Sequence, residues 1–286
     1  MSDEIDRAAP CRHAGAPADW LVDKVVRVLE VEVARDTQFL KAHGITPEEY
    51  DSAYRVAVER IRGKISATDK PKKDFVDCIL ASGLTQQKFC AASLEDGGLT
   101  KIYRVELPSG RSIGLVRKGC PDGNHSARWD RPAWADELYI WWLCPSSRAN
   151  EPGASLWKGV GRIKNKALTE PENQLDGVIF YDQSCGTPER PCPKRAYGLF
   201  LSDGERLPPP CIFVNAAVNA DCPGRLNWNG EKTVEFPPAL LSIFGVPESE
   251  QALYTSFIGY ELNNRDVGRV RITNNYGAGR TTSHTS

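Results

Sequence analysis

The chain has 286 residues, 41% of them hydrophobic, enough to build a sizeable core in one large domain or two small ones. Lysine and arginine nearly balance aspartate and glutamate, and the net charge of −1 excludes a global basic field of the kind that advertises nucleic acid, although an acidic face can mask a local basic patch. The longest apolar runs are too short to cross a bilayer, and the charged start MSDEIDRAAPC lacks the apolar core of a signal peptide, so the expected location is the cytoplasm.

Residues 1–18 carry Ala, Pro, Gly and charge without periodicity and read as a disordered tail. Trp20 to His43 reads as a helix, with Leu21, Val25, Val28, Leu29 and Val33 near the helical period and Gly44 as its stop. On that helix Glu30 and Glu32 are solvated charges. Thr46 and Glu49 form a capping box, with Pro47 in the first turn, and Tyr50, Tyr54, Val58, Ile61 and Ile65 make the inward stripe. A third helix opens at Lys70-Pro71-Lys72-Lys73, turns Phe75, Val76, Ile79 and Leu80 inward, and ends at Ser82-Gly83. Thr85 caps a short fourth helix to Ser93, and Glu95-Asp96-Gly97-Gly98 is a turn. Gly83 to Ala91 also echoes the start of a helix-turn-helix, but without the turn glycine at the expected offset.

The middle of the chain changes character. Lys101 to Leu107 and Ser112 to Lys118 form a hairpin turned by Pro108-Ser109-Gly110-Arg111. A polar loop from Gly119 to His125 follows, then an apolar helix from Pro132 to Cys144, then a strand from Asp176 to Asp182. Trp134, Leu138, Trp141 and Trp142 fall at helical core spacing. Beyond a Pro-rich loop at 186–194, strands are expected at Tyr197 to Ser202, Cys211 to Val218, Leu253 to Leu262 and Gly268 to Thr273, with a short helix at Pro238 to Phe244. The predicted fold is therefore mixed α/β: a helical region at 19–95, a core at 96–273 with a central mixed sheet flanked by helices, and a mobile tail at 274–286.

Four histidines limit nucleophilic chemistry, and only His125, near Cys120, lies in an organised loop. No nucleophile elbow and no Gly-rich phosphate loop is present. Nine cysteines in a reducing cytoplasm read mostly as free thiols, with Cys78, Cys90 and Cys144 buried as small apolar residues. Cys185, Cys192, Cys211 and Cys222 are a loose zinc set, since structural zinc favours pairs separated by about two to four residues. The acids of the central unit, Glu106, Asp122, Asp136, Glu137, Asp176 and Asp182, together with Lys118, suit metal-dependent phosphodiester cleavage, in which carboxylates hold a hard cation and a lysine settles the phosphate.

A helix, a hairpin with an acid on one strand and a lysine ending the next, then a helix and a strand resembles the core of the PD-(D/E)XK nucleases. Pro121-Asp122 repeats the first half of that pattern, and KGCPDGN, WADELYIWWLC and LDGVIFYD have the flavour of type II restriction endonucleases. The second half departs from it: Val116 stands two residues before Lys118 where the family has an acid. The resemblance implies a restriction-endonuclease-like fold, a Mg²⁺-dependent endonuclease of double-stranded DNA, and a homodimer matched to a symmetric site. It implies Glu106, Lys118 and Asp122 as catalytic residues, with Glu106 and Asp122 holding the cation. Arg and Asn can read base edges, and loop aromatics can stack on them. Asn124, Arg225, Asn227, Trp228, Asn229 and Arg265 are accordingly the expected DNA contacts. The alternatives are a non-catalytic nucleic-acid-binding protein stapled by zinc, and a protein-interaction module.

Overall fold

The computed structural model describes residues 19–66, 69–96, 101–118, 129–143, 160, 163, 175–180, 196–200, 204, 206–216, 232–262, 268–275 and 281–285. The expected disordered tail at 1–18 lies outside them.

The first helix is broken where one continuous helix is expected. Helix α1 (Asp19–Arg27) runs into a π-helical stretch at Val28–Val33. Asp36 then accepts a hydrogen bond from Phe39 N–H at 2.9 Å and so caps a new helix, α2 (Thr37–Ala42). An acid that bonds the backbone of the next turn favours a cap over helix interior, which explains the break. Glu30 and Glu32 are exposed on the π-helical stretch, as expected. Helix α3 (Pro47–Ser66) starts as read from the sequence. Glu49 N–H donates to Thr46 Oγ1 at 3.2 Å, and Thr46 N–H donates to Glu49 Oε2 at 2.9 Å. Helix α4 (Asp69–Thr85) buries Phe75, Val76, Ile79 and Leu80 and runs past Gly83. A Cβ at Gly83 would come within 2.4 Å of the Phe89 ring, so the glycine serves packing and not termination.

The expected fourth helix is a tight turn followed by strand β1 (Ala91–Asp96), and no helix-turn-helix forms. The hairpin is as expected, with β2 (Lys101–Glu106) and β3 (Ser112–Lys118) antiparallel and Gly110 at a positive φ of 84° in the turn. The largest departure is in the expected helix from Pro132 to Cys144: its described residues, 132–143, hold strand β4 (Glu137–Trp142) and not a helix, and Cys144 lies outside the described residues. Every residue of β4 is buried. A parallel strand covered on both faces is apolar throughout, so it loses the alternation that marks a strand, and its tryptophans match helical spacing by coincidence.

Strand β5 (Gly177–Phe180) follows, then the short pair β6 (Leu199–Phe200) and β7 (Arg206–Leu207), then β8 (Cys211–Asn215). Helices α5 (Phe236–Ile243) and α6 (Glu248–Gln251) precede β9 (Thr255–Leu262), β10 (Gly268–Asn275) and β11 (Thr281–Thr285). The last strand occupies the expected mobile tail.

Nine strands make one mixed sheet in the order β1-β2-β3-β4-β5-β8-β9-β10-β11. Strands β3, β4 and β5 are mutually parallel, as are β8 and β9, and the other neighbours are antiparallel. Alternate residues feed two apolar layers. Tyr103, Leu115, Trp141 and Ile179 meet α4 and α5 on one face, and Ile102, Leu138, Phe180 and Phe213 meet Trp129, Val160 and Ile163 on the other. Helix α4 and strand β1 therefore belong to the sheet unit, and the expected boundary at residues 95/96 falls inside a paired strand.

Candidate functional site

The charges of the sheet gather at its two ends. At one end, Lys118, Trp142 and Phe180 are aligned across the carboxyl ends of the three parallel strands. Ligands of open α/β sheets bind outside such carboxyl ends. Lys118 shares a face with Val116, because side chains alternate along a strand, and Val116 is aligned through Ile102 with Glu95 on β1. Half-buried Glu95 therefore stands on the face of Lys118, about 10 Å from β3 at ~4.8 Å per strand. Its Oε1 accepts from Ser93 Oγ at 3.4 Å. Glu95 belongs to β1 and not to the turn expected at Glu95-Asp96-Gly97-Gly98. On the opposite face of the same end, Arg117 donates to Tyr103 Oη at 3.2 Å. Burial, opposed by the Arg117 charge, leaves the Tyr103 hydroxyl raised well above 10. Lys73 and Asp77 of α4 form an ion pair beside it.

Glu106 does not join Lys118. Its partner in the sheet is Ser112, the first residue of β3, whereas Lys118 is the last. The length of β3, about 20 Å at ~3.3 Å per residue, separates them. Glu106 instead pairs with Arg104 at 3.1 Å. The expected cation site shared by Glu106 and Asp122 beside Lys118 is corrected on that ground. Asp122, Asn124, His125 and Asp182 lie outside the described residues, as do Arg225, Asn227, Trp228, Asn229 and Arg265. Ala216 and Lys232, which bracket 217–231, stand at the Glu106 end of the sheet, and so do the ends of β9 and β10 that bracket 263–267.

That opposite end holds two buried carboxylates the sequence had named only as members of a group. Glu137 opens β4 and is 1% exposed. It accepts from Tyr139 Oη at 2.7 Å, from Glu235 N–H at 2.9 Å and from Phe236 N–H at 3.3 Å, and it faces Arg111 Nη1 at 3.4 Å. It thereby caps α5 from a neighbouring strand, where the helix dipole favours an anion. Burial, with the Glu137 charge second, holds the Tyr139 hydroxyl well above its ordinary value. Asp176 immediately precedes β5. Its Oδ2 takes Leu138 N–H at 2.7 Å and Arg131 Nη2 at 2.9 Å, and its Oδ1 takes Lys232. Asp136 clasps the start of β3 by accepting from Ser112 N–H at 2.8 Å. Each of these carboxylates is engaged by backbone amides, and Glu137 and Asp176 by cations as well, an arrangement that holds strands and a helix in place.

Among the described residues no three His, Cys, Asp or Glu side chains stand together to hold a metal ion. Glu95 and Lys118 alone do not make a magnesium site, so no chemical step through a cation follows from them. Of the loose zinc set only Cys211 is described. It is buried in β8 as part of an apolar layer. Cys78 and Cys90, expected to be buried, are exposed. Among the described residues no helix is long and apolar enough to cross a membrane.

No family model matches the chain, and no curated protein and no solved structure matches it either.

Proposed function

We propose that the chain is a sequence-specific, Mg²⁺-dependent endonuclease of double-stranded DNA, with its reaction centre at the Lys118 end of the sheet. The observation that carries this reading is the order of elements around Lys118. Helix α4 leads into the β1–β2–β3 meander, and β4 then lies parallel to β3. That order resembles the nuclease core named above, with a strand where the sequence suggested the second helix. The lysine stands at the carboxyl end of a parallel strand, the end that serves ligands in such sheets.

The charge distribution supports the choice of end. At the Glu137 and Asp176 end the acids are committed to amides and cations of the fold. At the Lys118 end a lysine and a half-buried acid share one face. A protonated lysine beside a scissile phosphate stabilises the charge that develops in the transition state. Asp122 follows Lys118 closely in sequence and is the acid this reading retains, with Glu95 taking the place of Glu106.

Incubation with mixed-sequence duplex DNA and Mg²⁺ tests the reading, with discrete fragments as the expected product. Fragments that are missing at every divalent cation concentration, from a protein that retards the same DNA at moderate salt, would replace the nuclease by a non-catalytic nucleic-acid-binding protein. Failure of both cleavage and retardation would remove DNA from the account.

A further inference from the structure

The Lys118 end of the sheet carries a second charged patch, on the face opposite Lys118. Arg117 Nη1 donates to Tyr103 Oη at 3.2 Å, and its guanidinium lies over the Tyr103 ring, 5.9 Å from the centroid. Tyr103 is buried. Its hydroxyl donates in turn to the Asp77 carboxylate of α4. Lys73, one turn earlier on that helix, forms an ion pair with Asp77. Two cations are thus tied to the core through one hydroxyl and one carboxylate. Three hydrogen bonds of about 3 Å link them, so their charged heads stand roughly 10 Å apart at most. A side chain already held in place loses little freedom when a ligand arrives.

The local charge identifies the partner. Residues 69–77 of α4 and the last two residues of β3 hold Lys70, Lys72, Lys73, Arg117 and Lys118 against Asp69, Asp74 and Asp77. This is a basic excess in a chain whose net charge is −1. Residues 19–36, by contrast, carry five acids against three bases. A lipid surface takes exposed apolar side chains beside the basic ones. Phe75 and Val76, between Lys73 and Asp77, are buried, so the patch offers charge without apolar anchors. A line of phosphates needs no more than that: duplex DNA presents one charge per 3.4 Å of axis on each strand, so several phosphates of one strand fall within the span of Lys73 and Arg117. We infer that the α4 face at the Lys118 end is a contact tract for the phosphate backbone of duplex DNA, with Lys73 and Arg117 each on a phosphate. The inference rests on the nuclease reading and adds a second face to it. Lys118 meets the scissile phosphate on one side of the sheet end, and the tract holds flanking phosphates on the other.

Retardation of a mixed-sequence duplex without divalent cation, over a salt series from about 50 to 200 mM, tests the inference. Each phosphate contact steepens the fall of log affinity against log salt by about 0.9. Lys73→Gln and Arg117→Gln should each lower that slope by about 1, and the double variant by about 2. Lys73 is exposed, so its replacement leaves the fold intact and keeps the test open even where Arg117→Gln unfolds. Lys24→Gln on α1 removes the same charge from a segment where acids outnumber bases, and it should keep the wild-type slope. A wild-type slope in Lys73→Gln, or in a folded Arg117→Gln, overturns the inference and leaves the nuclease reading standing. An equal fall in Lys24→Gln overturns it too, since net charge alone would then set the slope. A wild-type chain that retards no DNA at any salt also overturns the tract. Cleavage, which decides the nuclease reading, is measured separately with Mg²⁺.

Discussion

The two ends of the central sheet differ in how their acids are placed. At the amino ends of β4 and β5, Glu137 and Asp176 are buried, and each oxygen of either one is spoken for by an amide, a hydroxyl or a cation. At the carboxyl ends, Lys118 and half-buried Glu95 share a face. The comparison teaches that burial of an acid is no sign of catalysis by itself. A buried carboxylate that caps a helix and bridges two strands is already performing its task.

The comparison breaks first on stability. Asp176→Ala removes an anion that Arg131 and Lys232 share, and breaking a buried pair costs about 3–5 kcal/mol. Both cations reach solvent in part, so about 3 kcal/mol is expected. Urea unfolding measures it, and a loss under about 1 kcal/mol would mean that Asp176 does not hold the sheet together. At the other end the order of effects reverses. Lys118→Ala and Asp122→Ala should each reduce DNA cleavage by about 10²-fold or more while melting near the wild-type temperature. Cleavage that survives both changes would move the reaction centre away from Lys118.

Alkaline pH sharpens the same contrast. Tyr139 and Tyr103 hold their protons above pH 10, mainly through burial, and Tyr197, hydrogen-bonded to Glu250, is pushed up to about 12. Above pH 10 the unfolded chain sheds protons that the folded chain keeps, so stability present below pH 10 falls as pH rises toward the folded values. Urea midpoints measured between pH 9 and 11.5 should decline, and a flat profile would contradict the burial of these hydroxyls. The smallest effect is the most diagnostic. Glu106→Ala loses only a partly exposed pair with Arg104 and should cost less than about 0.5 kcal/mol. It should also leave cleavage intact, and a cleavage-dead Glu106→Ala would restore the expectation that the structure set aside.

Much of the fold was legible where local chemistry decides it. The Thr46–Glu49 capping box, the inward stripe of α4 and the hairpin turned at Gly110 are all set by residues within a few positions of one another. Strand β4 was not legible, because burial on both faces erased its alternation. Strand β1 was missed since AASLED has no β-branched residue to announce it. The separation of Glu106 from Lys118 was within reach. A tight antiparallel hairpin sets the residue before the turn against the residue after it, so the ends of the two strands are far apart. The roles of Glu137 and Asp176 were out of reach, since their partners Glu235, Phe236 and Lys232 come from distant parts of the chain.

Asp176 has a consequence for how the molecule assembles. Its N–H donates to Leu138 C=O at 2.9 Å, its carboxylate takes Leu138 N–H, and its C=O receives Asn215 N–H at 2.8 Å. One residue thus staples β4 to β5 to β8 at the seam where the sheet turns from parallel to antiparallel. Sliding β5 by a single position would drive that carboxylate into an apolar layer. The seam joins stretches far apart in the chain, so it closes late and at a high cost in loop entropy. Once closed it opens only with the whole domain, and the amides of Leu138 and Asn215 should be among the last to exchange with deuterium.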